Sequence, residues 1–193
     1  MDIKKQLQDY AADVAQRVVN SDFDVLAAIV QKLLDTKAAG KTIYTAGNGG
    51  SAATASHMCN DFVKGCRVND NEGFKAHCLA DSNAIATCLA NDFSYEDIFS
   101  IQLKTFAQAD DVLVVFSGSG NSPNIISVLK TAKEMGVYTI GFSGRDGGKM
   151  NGLCDLLLIA PTYSMEQLED MHMLYEHAMV CTIKEVLTKS QPA

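Results

Sequence analysis

A chain of 193 residues with 16 basic and 23 acidic side chains carries a net charge of −7 at pH 7, which argues against nucleic acid as a main partner. Its 47% hydrophobic and 20% charged content excludes wholesale disorder, and the length is that of one domain able to bury a core without disulfide or metal staples. No apolar run reaches the ~18 residues of a membrane span, and Met1-Asp2-Ile3-Lys4-Lys5-Gln6 lacks the apolar region of a conventional signal peptide, so a cytoplasmic protein without a membrane partner is expected.

The first 38 residues read as two helices. Leu7, Tyr10, Ala11, Val14 and Val18 follow the i, i+3, i+4, i+7 rule, and Ser21 is the expected N-cap of a second helix with Val25, Ile29, Leu33 and Leu34 on one face. Because both precede any strand, they read as a helical extension, and Gly40 ends it. Short apolar runs then appear at Thr42–Ala46, Phe74–Ala80, Val112–Phe116, Tyr138–Phe142 and Leu156–Ala160. Between them, helical spacing covers Ser51–Lys64, Asn83–Asp92, Ser94–Ala107 and Ser122–Met135, and a terminal helix runs over about Met165–Leu187. Alternating strands and helices predict a parallel sheet with helices on both faces. The expectation is one α/β domain over residues 1–193, with 1–38 as an N-terminal extension. Six cysteines without a CxxC pair read as reduced, hydrophobe-like residues, and none is assigned chemistry.

Two glycine- and hydroxyl-rich loops follow strands and open helices. Ala46-Gly47-Asn48-Gly49-Gly50-Ser51 lacks the GxGxxG dinucleotide pattern, and Phe116-Ser117-Gly118-Ser119-Gly120-Asn121-Ser122-Pro123 lacks a Walker lysine. A neutral nest of backbone N–H groups and hydroxyls at two helix N-termini suits one phosphomonoester. Its expected contacts are Asn48, Gly49, Gly50, Ser51, Ser117, Ser119 and Ser122. His57 and Asp61 stand four apart on the helix after the first loop and share a face. On the terminal helix Glu169 and His177 are separated by about 80° on the helical wheel, whereas His172 lies on the other side of Glu169, about 140° from His177. Two imidazoles and two carboxylates, His57, Asp61, Glu169 and His177, make a four-ligand set for zinc or a similar divalent ion.

Gly47-Asn48-Gly49-Gly50-Ser51 with His57 following, Ser117-Gly118-Ser119-Gly120-Asn121-Ser122-Pro123-Asn124, Asn91-Asp92-Phe93 and Gly141–Met150 together resemble the sugar isomerase (SIS) domain family, and within it the phosphoheptose isomerases. The resemblance runs over essentially the whole chain. It implies a flavodoxin-like five-stranded parallel sheet, a homotetramer, and aldose–ketose isomerisation of sedoheptulose 7-phosphate to D-glycero-D-manno-heptose 7-phosphate through an enediolate. It further implies Asp61 and His177 as the acid/base pair, with Asp61 as base, ligand or both, and a divalent metal polarising the oxygens. Asp61 stands where a glutamate is usual and Glu169 where a glutamine is usual. An acidic residue near the end of the second strand adds Asp81 and Ser82 as substrate contacts, and Glu169 is expected to contact the substrate as well as the metal. The alternative is a non-catalytic SIS protein that binds a partner such as a replication initiator. A sugar-phosphate-sensing regulator would need a DNA-binding domain, for which the reading leaves no room.

Overall fold

The computed structural model describes residues 2–68 and 72–189. Helices α1 (Ile3–Val19) and α2 (Phe23–Ala38) lead into β1 (Thr42–Gly47), α3 (Gly50–Asn60), β2 (Lys75–Cys78), α4 (Asn83–Asp92) and α5 (Ser100–Phe106). The second half runs β3 (Val112–Ser117), α6 (Pro123–Glu134), β4 (Tyr138–Gly144), β5 (Leu156–Ala160) and α7 (Met165–Lys189). All five strands are parallel, in the order β2-β1-β3-β4-β5. The order reverses between β1 and β3, and the crevice at the carboxyl ends of those strands is where ligands bind in sheets of this type. Both glycine-rich loops leave the sheet there, with Gly47 paired to Phe116 in register.

Every residue of Val112–Ser117 is buried, as expected for a central parallel strand covered on both faces. One apolar cluster gathers Phe116, Phe142, Met58, Phe62, Tyr175 and Met179 with α2, α3 and α7. The cluster on the opposite face gathers Leu113, Val115, Phe99, Leu103, Ile125 and Leu129 with α5 and α6.

The two N-terminal helices differ from the expected common extension. Leu26, Ile29, Val30 and Leu33 of α2 sit inside the first cluster, each such burial stabilising by about 1.5–3 kcal/mol, so α2 is part of the domain's own core. Helix α1 buries only Val18, leaves Ile3 and Leu7 70% and 69% exposed, and is tied to α7 by the Tyr10 hydroxyl donating to Asp170. Asp22, rather than Ser21, caps α2 by accepting from the Val25 N–H at 3.0 Å. Ser21 instead donates to the Arg17 carbonyl and bonds the Tyr175 hydroxyl. The second strand is shorter than expected because it is the edge strand, its His77 exposed on that edge. The expected helix over 94–107 is a single turn at Tyr95–Asp97 followed by α5.

Candidate active site

Strand β1 ends at Gly47, where any Cβ would collide with the Ser51 carbonyl, so the chain turns into α3 at a distance only glycine permits. The second loop makes the same demand at Gly120, which has φ +62° and lies against the Gly147 carbonyl. Neither α3 nor α6 has a side-chain cap, so two helix N-termini open toward the crevice. Between them lies a cavity of about 310 Å³ lined by Asn48, Gly49, Gly50 and Ser51 of one loop and by Ser117, Ser119 and Ser122 of the other. Glu169 and Met165 of α7 close its side. A cavity of about 250 Å³ at the amino ends of the strands, lined by Lys32, Asp110 and Asp155 among others, lacks converging helix N-termini and lies away from the crevice.

The Asn48 side chain is committed to the protein. It exchanges two hydrogen bonds with the fully buried Asn124, at 2.9 and 2.8 Å, and its Oδ1 also accepts from the Tyr95 hydroxyl at 2.9 Å. This triangle fastens the first loop to the start of α6. Neither Asn124 nor Tyr95 was among the expected site contacts, although Asn124 follows Pro123 at a position whose helical spacing faces the core. Asp81 and Ser82 stay outside the cavity lining, and Ser82 caps α4 by accepting from the Ile85 N–H at 3.3 Å.

Farther along α3 a second group forms. His57 Nε2 lies 3.0 Å from His177 Nε2 and 3.6 Å from Asp61 Oδ2. Three expected ligands thus meet, and the fourth member is Glu176, whose Oε2 is 3.5 Å from His177 Nε2 and 3.9 Å from His57 Nε2. One donor atom from each of the four lies within 4.8 Å of the others. The carboxylate of Glu169 lies elsewhere, pressed against Gly50 in the first cavity. Asp61 begins a single π-helical turn, Asp61–Gly65, an irregularity that re-aims side chains and is frequent at functional sites.

Glu176 is 0% exposed and neither of its oxygens has a hydrogen-bond partner in the described structure. Burial, and secondarily the negative charge of Asp61, push its carboxyl up to about 8. A buried, unpaired carboxylate facing two imidazole nitrogens fits a divalent cation, which would supply the missing partner. His172 is also buried but lies off this group, with Nε2 3.2 Å from the Ser143 carbonyl and its ring against Phe116 and Phe142. Burial holds it down to about 4, the behaviour of a neutral core histidine. Burial also drives the thiols of Cys66 and Cys154 up to about 12. Cys88 and Cys181 are exposed.

Helices α3 and α7 connect the two groups. Gly50 meets Glu169 and, seven residues on, His57 meets His177, so the helices run side by side in the same direction. The phosphate-type cavity and the His/Asp/Glu group therefore stand about 10 Å apart along one seam, at 1.5 Å of rise per residue. An open-chain sugar phosphate can bridge that length.

The glycine-loop crevice and the His/Asp/Glu group sit in a fold of a definite class: the sequence profile of the SIS domain matches residues 6–144, and the chain belongs to that family. The phosphoheptose isomerase of Paramagnetospirillum magneticum is 42% identical over 158 residues, 82% of this chain and 82% of that protein. The phosphoheptose isomerase of Burkholderia pseudomallei (strain 1710b) is 38% identical over 89% of each. Among solved structures, the phosphoheptose isomerase of Neisseria gonorrhoeae superposes with a TM-score of 0.87 at 28% identity, covering 95% of this chain and 99% of that one.

Proposed function

We propose that this chain is a phosphosugar isomerase converting sedoheptulose 7-phosphate into D-glycero-D-manno-heptose 7-phosphate. The reading is supported chiefly by the α3/α7 seam, along which the cavity between the two glycine loops and the His57/Asp61/Glu176/His177 group lie a sugar's length apart. The relatives named above are phosphoheptose isomerases, and a partner-binding, non-catalytic role finds no support among them.

The phosphate is received by the free N–H groups at the starts of α3 and α6 and by the hydroxyls of Ser51, Ser119 and Ser122. Asn48 contributes its backbone and, through Asn124, the spacing of the two loops. The carbonyl end extends along the seam toward His57 and His177. A base removes one proton from C1 while an acid protonates O2; the resulting enediol then loses its O1 proton and gains a proton at C2. Asp61 handles the carbon-bound proton and His177 the oxygen-bound ones. Besides the atom aimed into the group, Asp61 keeps Oδ1, which accepts from the Asn60 side-chain amide at 3.1 Å, and His177 keeps Nδ1. His57, Asp61 and His177 would hold a divalent cation, zinc by the chemistry of the donors, which would polarise the sugar oxygens.

We place the reaction in the cytoplasm, where a charged sugar phosphate is retained; among the described residues no helix is long and apolar enough to cross a membrane. The assembly is proposed as a homotetramer. Its support is the exposed apolar side of α1 and an apolar groove of about 300 Å³ between α2 and α7, lined by Phe23, Leu26 and Met179 among others. Incubation with a panel of ketose phosphates tests the activity. Sedoheptulose 7-phosphate should be turned over with the highest kcat/KM, and turnover of none of the panel would refute the proposal.

A further inference from the structure

We infer that Asn121 is a positioning residue: it clamps the loop after β3 to the loop after β4 and so aims the Ser119 hydroxyl into the cavity. This rests on the proposal that the cavity between the two glycine loops receives the substrate phosphate. Among the described residues no lysine or arginine lines that cavity, so its donors are backbone N–H groups and hydroxyls. A lysine tolerates displacement, because it acts as a point charge on a flexible stem. Neutral donors are directional, and a hydrogen bond weakens steeply as its angle closes. Phosphate affinity then depends on how firmly the loop holds its donors, and Gly118 and Gly120 leave its backbone soft. Asn121 supplies the stiffness. Its backbone N–H donates to Ser119 Oγ at 3.2 Å, its Nδ2 donates to the Ser119 carbonyl at 2.7 Å, and its Oδ1 accepts from the Lys149 N–H at 3.1 Å.

A hydroxyl has a single proton to give and two lone pairs to accept with. Ser119 Oγ accepts from the Asn121 N–H and donates to nothing among the described residues, so its proton is kept for a ligand. Ser117 and Ser122 differ, their hydroxyls bonding each other at 3.3 Å. Asn121 itself is exposed and does not line the cavity, so it acts through Ser119. The loop after β4 is the fixed jaw of the clamp. Its Gly147 N–H closes a turn onto the Gly144 carbonyl at 3.0 Å, and Asp146 Oδ1 accepts from the Gly148 N–H at 3.0 Å. Beside the Lys149 bond, the Met150 N–H donates to the Gly120 carbonyl at 3.1 Å. The loops meet too closely for a side chain at Gly148, φ +53°, where a Cβ would overlap Asn121 Nδ2 and the Ser119 carbonyl. From the buried side, Ser143 Oγ of β4 donates to the Ser117 carbonyl at 2.9 Å. The phosphate loop is thus held on its inner side by Ser143 and on its outer side by Asn121.

The test is titration of the full-length protein with inorganic phosphate by calorimetry, joined to initial rates on sedoheptulose 7-phosphate and a melting curve for each variant. Asn121→Ala should bind phosphate about 10-fold more weakly and raise KM by about the same factor, the worth of one misdirected hydrogen bond to an anion. Its kcat at saturation should stay near that of the unsubstituted protein. Gly148→Ala, which drives a methyl group into the same contact while leaving Asn121 in place, should reproduce the split between KM and kcat. A merely structural role would lower the melting temperature and leave the KM of the folded protein unchanged, and that result in both variants would overturn the inference. A fall in kcat with KM unchanged would overturn it as well. Ser119→Ala and Ser122→Ala keep the two levels distinct. Weakened phosphate binding in Ser119→Ala with intact binding in Asn121→Ala and Gly148→Ala sinks the clamp and leaves the phosphate reading standing. Intact binding in both serine variants sinks the phosphate reading itself.

Discussion

Glu176 and His172 stand about one turn apart on the buried side of α7, and burial acts on them in opposite senses. The carboxyl of Glu176 rises from its ordinary 4.5 to about 8. In metal-free protein its stabilising contribution is complete below pH 4.5 and is lost as pH rises through 8. The imidazole of His172 falls from 6.5 to about 4, so its contribution is complete above 6.5 and is lost as pH falls through 4. Metal-free protein is therefore expected to melt highest at mildly acidic pH. Melting curves of chelator-treated protein between pH 4 and 9 check this, and the difference between wild type and Glu176→Gln isolates one group. A metal-free optimum at pH 8 would contradict it. Asn124 supports a second expectation at this scale. Truncation to alanine leaves Asn48 without its reciprocal partner, so stability should fall by about 1–3 kcal/mol and KM for the sugar phosphate should rise. Urea melts and initial rates measure the two effects. His57, Asp61 and His177 were legible in the sequence because an i, i+4 pair and a helical wheel give direction. The helical wheel put Glu169 and His177 two turns apart in one site and left Glu176 unassigned; in the structure the Glu169 carboxylate lies beside Gly50, and Glu176 lies beside His177. The missing signal is a glutamate in the apolar stripe Leu168, Met171, Tyr175, Met179, where only a partnered charge is tolerated.

At the level of elements, the strands and both glycine loops were legible because their composition is local: apolar β-branched runs closed by Gly, Ser or Pro. What was not local was not legible. Helix α2 looked like an appendage because it precedes the first strand, yet Ile29 and Leu33 are fully buried against the sheet. Leu33→Ala should cost about 2–5 kcal/mol, readable in chemical denaturation, whereas removal of residues 2–19 should leave a folded, cooperative domain. Unfolding of that truncated chain would show α1 to be part of the core. The π turn at Asp61 is another feature that periodicity cannot supply, since one extra residue in a helical turn leaves the neighbouring spacing intact. The phosphate loops offer the simplest element-scale test. Ser119→Ala and Ser122→Ala should each weaken sugar-phosphate affinity by about 1–3 kcal/mol, measured by calorimetry. Unchanged affinity in both would move the phosphate elsewhere.

Across the whole molecule, sheet order does what no single motif does. Placing β1 between β2 and β3 brings the loops after β1 and β3 into one crevice, and the side-by-side course of α3 and α7 extends that crevice to His57 and His177. Light scattering at micromolar concentration should give the mass of a tetramer, and the truncation of α1 should lower it; a monomeric mass for the intact chain would contradict the assembly. The central claim is that the two ends of the α3/α7 seam act on one sugar phosphate. It is tested most directly by incubating sedoheptulose 7-phosphate in heavy water with wild type, Asp61→Asn and His177→Ala, and following deuterium at C1 and C2 by NMR. The account predicts that wild type produces the aldose with deuterium at C2 and exchanges the C1 proton of the ketose, and that both variants lose both signals. Wild-type exchange in either variant, or an unlabelled and unconverted ketose with wild type, would contradict it.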